Sequence, residues 1–169
     1  MSTEKMKAKI TIHVNGRKHT VNVDPSMPLL YVLRNYLELN GPKYGCGQEL
    51  CGSCMVLIDN KALPSCRLPV DTLQNKAITT LEGLVRKDGK LHPVQQAFVD
   101  QQAAQCGYCL NGMVISAAAL LEENKSPDEE AIRTHLQRVL CRCGSHSRVI
   151  KAVKQAAQPI SPKDKQTQE

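Results

Sequence analysis

From Ile10 onward apolar and polar residues alternate. Ile10, Ile12 and Val14 fall on one side of the chain, and Val21 and Val23 resume the alternation after Asn15-Gly16. A period of two interrupted by a two-residue turn predicts a β-hairpin. After Asp24-Pro25 the period lengthens. Leu29, Leu30, Leu33, Tyr36 and Leu37 recur at helical spacing, Pro28 suits the first turn, and Asn40-Gly41-Pro42 marks the helix end. Met55 to Ile58 is an unbroken apolar run that predicts a buried strand, Asp59-Asn60 a turn, and Ala77 to Thr80 a last short strand.

At Leu84 the chain turns polar around Lys87-Asp88-Gly89-Lys90, and a linker is expected over residues 84–92, between modules at 1–83 and 93–157. Beyond it the apolar period is helical. Val94, Ala97 and Phe98 form one face leading to Cys106, and Met113, Val114, Ala117, Leu120 and Leu121 form a second helix after Gly112. Ser126-Pro127-Asp128-Glu129 reads as a capping box with proline at the first helical position, opening a third helix through Ile132, Leu136 and Leu140. Val149, Ile150, Val153 and Ala157 define a fourth. The stretch 158–169, with two prolines and little apolar content, is expected to be a disordered tail.

The chemistry lies in eight cysteines that form two sets of four. Cys46, Cys51, Cys54 and Cys66 read C-x4-C-x2-C with a distant fourth, the spacing of plant-type [2Fe-2S] ferredoxins. Cys106, Cys109, Cys141 and Cys143 form a C-x2-C and a C-x-C separated by 31 residues. Gly45, Gly47 and Gly52 beside the first set let backbone N–H groups turn toward sulfur and stabilise an anionic cluster. Disulfides need an oxidising compartment, and Met1 to Lys9 has no apolar core of a secretory signal, so a cytoplasmic location is expected. Zinc is the stronger rival, because four cysteines are an ordinary structural zinc set, although such sites usually pair two C-x2-C units.

The stretches Gly45-Cys46-Gly47, Cys51-Gly52-Ser53-Cys54, Gln105-Cys106-Gly107-Tyr108-Cys109 and Leu140-Cys141-Arg142-Cys143-Gly144 resemble the iron–sulfur subunit of the molybdenum hydroxylases. The resemblance runs from about Ile10 to Ala157. That family includes xanthine dehydrogenases, aldehyde oxidoreductases, carbon monoxide dehydrogenases and hydroxylases of N-heteroaromatic rings. It implies an α+β fold, with an N-terminal β-grasp ferredoxin domain followed by a four-helix all-α [2Fe-2S]-binding domain. It also implies two [2Fe-2S] clusters. Cys106, Cys109, Cys141 and Cys143 would hold the one nearer a molybdopterin, often the cytosine dinucleotide form in bacteria, on a large partner subunit. Cys46, Cys51, Cys54 and Cys66 would hold the one nearer the electron exit, toward a FAD subunit or a cytochrome. Gln105 matches a glutamine that contacts the pterin, and Cys143 a cysteine whose sulfur lies beside it. Many members read C-G-F-C-T-P-G and C-R-C-T-G-Y at the second site. Here Leu110-Asn111 and Gly144-Ser145-His146 depart from that pattern and resemble the isoquinoline, nicotinate and aldehyde oxidoreductase branch, which implies an aldehyde or N-heteroaromatic substrate. Glu49 stands where a small residue is common.

Composition and charge fit this reading. The 169 residues are 41% hydrophobic with one Phe and no Trp, so the cores are aliphatic and metal staples would support them. The formal charge of +6 invites nucleic acid. Each oxidised cluster with its thiolates carries about −2, leaving about +2, and the tyrosines form no stacking array with Lys and Arg, so nucleic-acid binding is not expected. His146 reads as a capping or surface residue of the fourth helix, Arg142 as a solvated or partner-facing cation, and Lys151 and Lys154 as the wet face of that helix. There is no G-x-G-x-x-G and no P-loop lysine motif. With no catalytic base or nucleophile legible, catalysis is expected on another polypeptide and no membrane insertion is expected. The alternative is a stand-alone zinc or iron–sulfur interaction module.

Overall fold

A computed structural model describes residues 7–158; residues 1–6 and 159–169, most of the expected tail among them, lie outside the described residues. The chain orders as β1 (Ala8–Val14), β2 (Arg17–Val23), α1 (Leu29–Asn35), β3 (Met55–Ile58), β4 (Lys61–Pro64), β5 (Ala77–Thr79), α2 (Pro93–Asp100), α3 (Leu110–Glu123), α4 (Glu129–Leu136) and α5 (His146–Ala157). The strands form one mixed sheet in the order β2-β1-β5-β3-β4. β1 runs parallel to β5 and antiparallel to β2. Asn15 and Gly16 turn that hairpin with φ of 51° and 74°, as a two-residue connection between twisted strands requires. A mixed sheet gripping one helix is the β-grasp arrangement, and with the helices after it the fold is α+β.

β3 explains its own composition. All four of its residues are buried. Val56 and Ile58 pack with Leu29, Val32 and Leu33 of α1, whereas Met55 and Leu57 pack with Ile115 and Ala119 of α3. Because strand side chains alternate between faces, an unbroken apolar run is what a strand covered by a helix on each side must have. The two halves of the chain therefore share a core, and Leu84, inside the expected linker, packs against both the helical core and this shared cluster. The polar stretch after it closes a turn in which the Arg86 N–H donates to the Lys90 carbonyl at 2.9 Å.

Several local expectations are corrected. α1 ends at Asn35, because Glu38 takes a left-handed φ of 57° that folds Leu37 and Leu39 back onto the core. The sequence pattern missed β4, whose alternation is only four residues long and whose pairing with β3 is the evidence for it. The third helix of the second half is capped by Asp128 and not by Ser126. The Asp128 carboxylate accepts from the Ala131 N–H at 2.8 Å, which leaves Pro127 outside the helix. That helix stops at Leu136, short of Leu140. The second helix begins at Leu110, so Asn111 and Gly112 lie in its first turn. α2 carries a reciprocal cap: the Val94 N–H donates to His92 Nδ1 and the His92 N–H to Gln95 Oε1. Burial holds the His92 pKa below its ordinary value, which keeps Nδ1 free to accept.

Candidate metal centre

The eight cysteines emerge from loops between the regular elements. The loop between α1 and β3 carries Cys46, Cys51 and Cys54, while Cys66 follows β4; Cys106 and Cys109 precede α3, and Cys141 and Cys143 lie between α4 and α5. Ser65 fixes the fourth member of the first set: its N–H and hydroxyl both donate to the Cys54 carbonyl, at 3.2 and 2.7 Å, and bring Cys54 and Cys66 together beneath Leu30. Cys46 and Cys51 form a second pair, with the Cys46 N–H donating to Cys51 Sγ at 3.3 Å. In the helical half Cys106 meets Cys143, and Cys109 meets Cys141. One small cavity is lined by all four of these together with Gln105 and Ser145. Among the described residues no three His, Cys, Asp or Glu side chains converge on a point that one metal ion could occupy. The thiols are instead paired two and two.

The backbone around the sulfurs is arranged for negative charge. The Gln48 and Leu50 N–H groups donate to Cys46 Sγ at 3.3 and 3.2 Å. Burial pushes the Cys46 thiol up, but these donors and Cys51 outweigh it and bring it down to about 7. Cys141 behaves alike: burial raises it, while the Ser145 hydroxyl at 3.3 Å, the Ser145 N–H and Cys109 lower it to about 7. Cys106 is lowered by the Tyr108 N–H and then by Cys143. Cys54 and Cys109 go the other way. Burial and the neighbouring Cys66 push Cys54 up to about 11, and burial and Cys141 push Cys109 up to about 12. In the Cys109–Cys141 pair one sulfur thus ionises readily while the other keeps its proton, the state a thiol–thiolate hydrogen bond produces.

Glu49 sits between the two donors to Cys46 with a φ of 62°. A β-carbon costs about 1–2 kcal/mol in that conformation, a cost that glycine alone escapes. Gly52, at a φ of 72°, is required for a second reason. A β-carbon on it would lie 2.7 Å from the Arg138 carbonyl oxygen, so the first loop could not approach the segment before Cys141.

That approach joins the two sites. The Leu140 N–H donates to the Cys51 carbonyl at 3.0 Å, linking a cysteine of the first set to the residue before a cysteine of the second. The Tyr108 hydroxyl, between Cys106 and Cys109, donates to the Tyr44 carbonyl. Asn111, fully buried, donates from Nδ2 to the Ser53 and Met55 carbonyls at 3.0 and 2.9 Å. Asn111 and Ser145 stood out in the sequence only as departures from a family pattern; their contacts have no local signature. Gln105 is exposed beside Cys106, and Arg142 is exposed between Cys141 and Cys143. His146 is the exposed first residue of α5, after Ser145 at the N-cap. Leu50 and Leu140, each next to a cysteine, are 70% and 67% exposed, an apolar surface at the sites themselves.

An α+β fold holding two four-cysteine sites, each paired two and two, defines a double iron–sulfur protein. Residues 12–89 match the 2Fe-2S iron-sulfur cluster binding domain model and residues 80–154 the [2Fe-2S] binding domain model. The chain is 52% identical over 153 residues to a nicotinate dehydrogenase subunit of Pseudomonas putida, covering 90% of this chain and 97% of that one. It is 40% identical to the alpha subunit of isoquinoline 1-oxidoreductase from Brevundimonas diminuta, covering 85% and 94%. The solved structure of quinoline 2-oxidoreductase from Pseudomonas putida 86 superposes with a TM-score of 0.84 at 35% identity, covering 90% of this chain and 93% of that one. The chain belongs to the iron–sulfur small subunits of the molybdenum hydroxylase family.

Proposed function

We propose that this chain is the electron-transfer subunit of a multisubunit molybdenum hydroxylase. In this reading it connects a molybdopterin site on a large subunit to a flavin or cytochrome acceptor through two [2Fe-2S] clusters. The residues fit such clusters. All donors are sulfur, each set has four, and the two-and-two pairing matches a diiron cluster that takes two thiolates per iron rather than a tetrahedral single ion. Cys46, Cys51, Cys54 and Cys66 would hold the first cluster and Cys106, Cys109, Cys141 and Cys143 the second. When bound, the clusters supply one-electron chemistry.

The protein's own residues supply connection, shielding and polarity. The observation that carries the reading is the Cys51–Leu140 hydrogen bond, which makes a short covalent and hydrogen-bonded bridge between the two cysteine sets. N–H groups directed at Cys46, Cys106 and Cys141 offset negative charge on sulfur. Cys54, Cys66 and Cys141 are buried, while Gln105, Cys106 and Cys143 lie where a partner surface can reach them. Gln105 and Cys143 are therefore assigned to the pterin side and the first site to the exit side. Relatives named for nicotinate and isoquinoline support an N-heteroaromatic substrate, with an aldehyde as the other class in the family. The molybdopterin would be the cytosine dinucleotide form and the complex cytoplasmic. Among the described residues no helix is long and apolar enough to cross a membrane. The domain division 1–83, 84–92 and 93–157 belongs to the same proposal, with a shared core across it.

Electron paramagnetic resonance of the dithionite-reduced chain, with iron and acid-labile sulfide assayed on the same sample, tests the assignment. Two distinguishable spin-half signals and about four irons per chain are expected, two for each four-cysteine site. A colourless, silent, zinc-loaded protein made under iron-replete anaerobic conditions would replace the relay by a structural module.

A further inference from the structure

Asn111 belongs to the helical half, two residues after Cys109, yet its side chain serves the other cysteine set. Its Nδ2 donates to the carbonyls of Ser53 and Met55, the residues on either side of Cys54, at 3.0 and 2.9 Å. Both partners are carbonyl oxygens, so the amide can face them only with its NH2 group; a flipped amide would set oxygen against oxygen. The orientation leaves Oδ1 buried with no hydrogen-bond partner. An apolar side chain would avoid that desolvation cost but would forfeit both bonds to the loop. The side chain meets both donor requirements of one loop and neglects its own acceptor.

Cys54 is the buried member of the first loop; Ser53 O also accepts from the Lys43 N–H at 2.9 Å, and the side-chain bracket across Cys54 comes from Asn111. Cys51, the neighbouring cysteine, is tied to the same helical half through Leu140. Two of the first set's four cysteines are thus anchored by residues adjoining the second set.

We propose that Asn111 is a positioning residue for the first cluster, supplied by the helical half of the same chain. It clamps the Cys54 peptide units and places two N–H dipoles beside the first site. This rests on the double-cluster reading above. Removing those dipoles leaves the Met55 carbonyl without the amide and the Ser53 carbonyl with the Lys43 N–H alone, and the loss of N–H groups near the site disfavours the added negative charge of the reduced state. The first cluster's potential should therefore fall while the second cluster's stays.

The test is a redox titration of the complete cluster-loaded chain, followed by electron paramagnetic resonance, for the parent, Asn111→Leu and Asn111→Ser. Asn111→Leu keeps the size and removes both bonds. It should shift the first cluster by about a tenfold change in its one-electron equilibrium, or about 59 mV, and alter that signal only. Asn111→Ser, whose hydroxyl can serve one carbonyl at most, should shift it less in the same direction, and it carries the test if the leucine variant loads poorly. Asp128→Ala, a destabilising change in a helix cap whose carboxylate accepts from the Ala131 N–H and makes no hydrogen bond to the bracketed loop, should move neither potential. Unchanged first-cluster potentials and signals in both Asn111 variants would overturn the inference, as would equal shifts in both clusters. A parent lacking the two signals would instead overturn the double-cluster reading, and the inference with it.

Discussion

Alanine at a helical glycine ordinarily stabilises a protein, by at most about 1 kcal/mol; at Gly112 it should do the opposite. A β-carbon there would lie 2.3 Å from the Gly52 carbonyl oxygen, 3.0 Å from its carbon and 3.0 Å from Val139 Cγ1. Ordinary contact distances require helix and loop to part by about 1 Å. The nearest obstacle is backbone, so no change of rotamer relieves it. Overpacking costs about 1–3 kcal/mol, and a rigid contact belongs at the upper end. Setting about 3 kcal/mol against about 1 kcal/mol of helix gain leaves a net loss of about 2 kcal/mol. For a chain of this size that lowers Tm by about 4–8 °C. The assay is thermal unfolding of cluster-loaded Gly112→Ala and parent, followed by far-UV circular dichroism and by cluster absorbance at one scan rate. A Tm equal to or above the parent's would show that the close approach of α3 to the first loop is not a constraint, and the account of how the two sites are joined would fail.

Asp128→Ala should lose about 1 kcal/mol of stability, about 2–4 °C in Tm, while Ser126→Ala changes little; the reverse order, by calorimetry, would reinstate Ser126 as the cap. Tyr108→Phe removes the hydroxyl donated to the Tyr44 carbonyl and should cost about 1 kcal/mol in denaturant unfolding with little change in iron content; loss of iron would mean the hydroxyl holds a cluster loop. In the metal-free chain Cys46, brought down to about 7, is about half ionised at pH 7, whereas Cys54, pushed up to about 11, remains a thiol. Ionisation of an acid sets the sign: once Cys46 is ionised, raising the pH helps only Cys54, so the contrast is full below about pH 7 and narrows as the pH rises from about 7 toward about 11. Alkylation mapped by mass spectrometry at pH 7 should modify Cys46 at least about a hundredfold faster than Cys54, and equal rates would show that the first loop is not preorganised before metal binds.

The hairpin, α1, β3, β5 and the four later helices were legible because their signals are local. Alternation, helical period and the Asn15-Gly16 turn act within a few residues. Errors fell where two local signals competed. Ser126 and Asp128 are both good caps, and the choice of Asp128 depends on where Ile132 and Leu136 must point to reach the helical core. β4 was missed because a four-residue edge strand is defined by its partner more than by its own side chains.

The cysteine motifs and the family they mark were readable from the chain alone. Cysteine spacing limits the metal that a loop can wrap, and the same motifs pointed to the iron–sulfur family that the chain belongs to. How those sites face one another was a matter of packing. The pairing of Cys54 with Cys66 depends on Ser65, the Cys51–Leu140 bond spans 89 residues (140 less 51), and the Asn111 bracket reaches back 58 and 56 residues. Contacts at such separations leave no periodic trace, because they are set by how the sheet and helices pack around β3. An asparagine in the first turn of a helix looks like any polar residue until the fold brings the carbonyls on both sides of Cys54 within hydrogen-bonding distance of its amide.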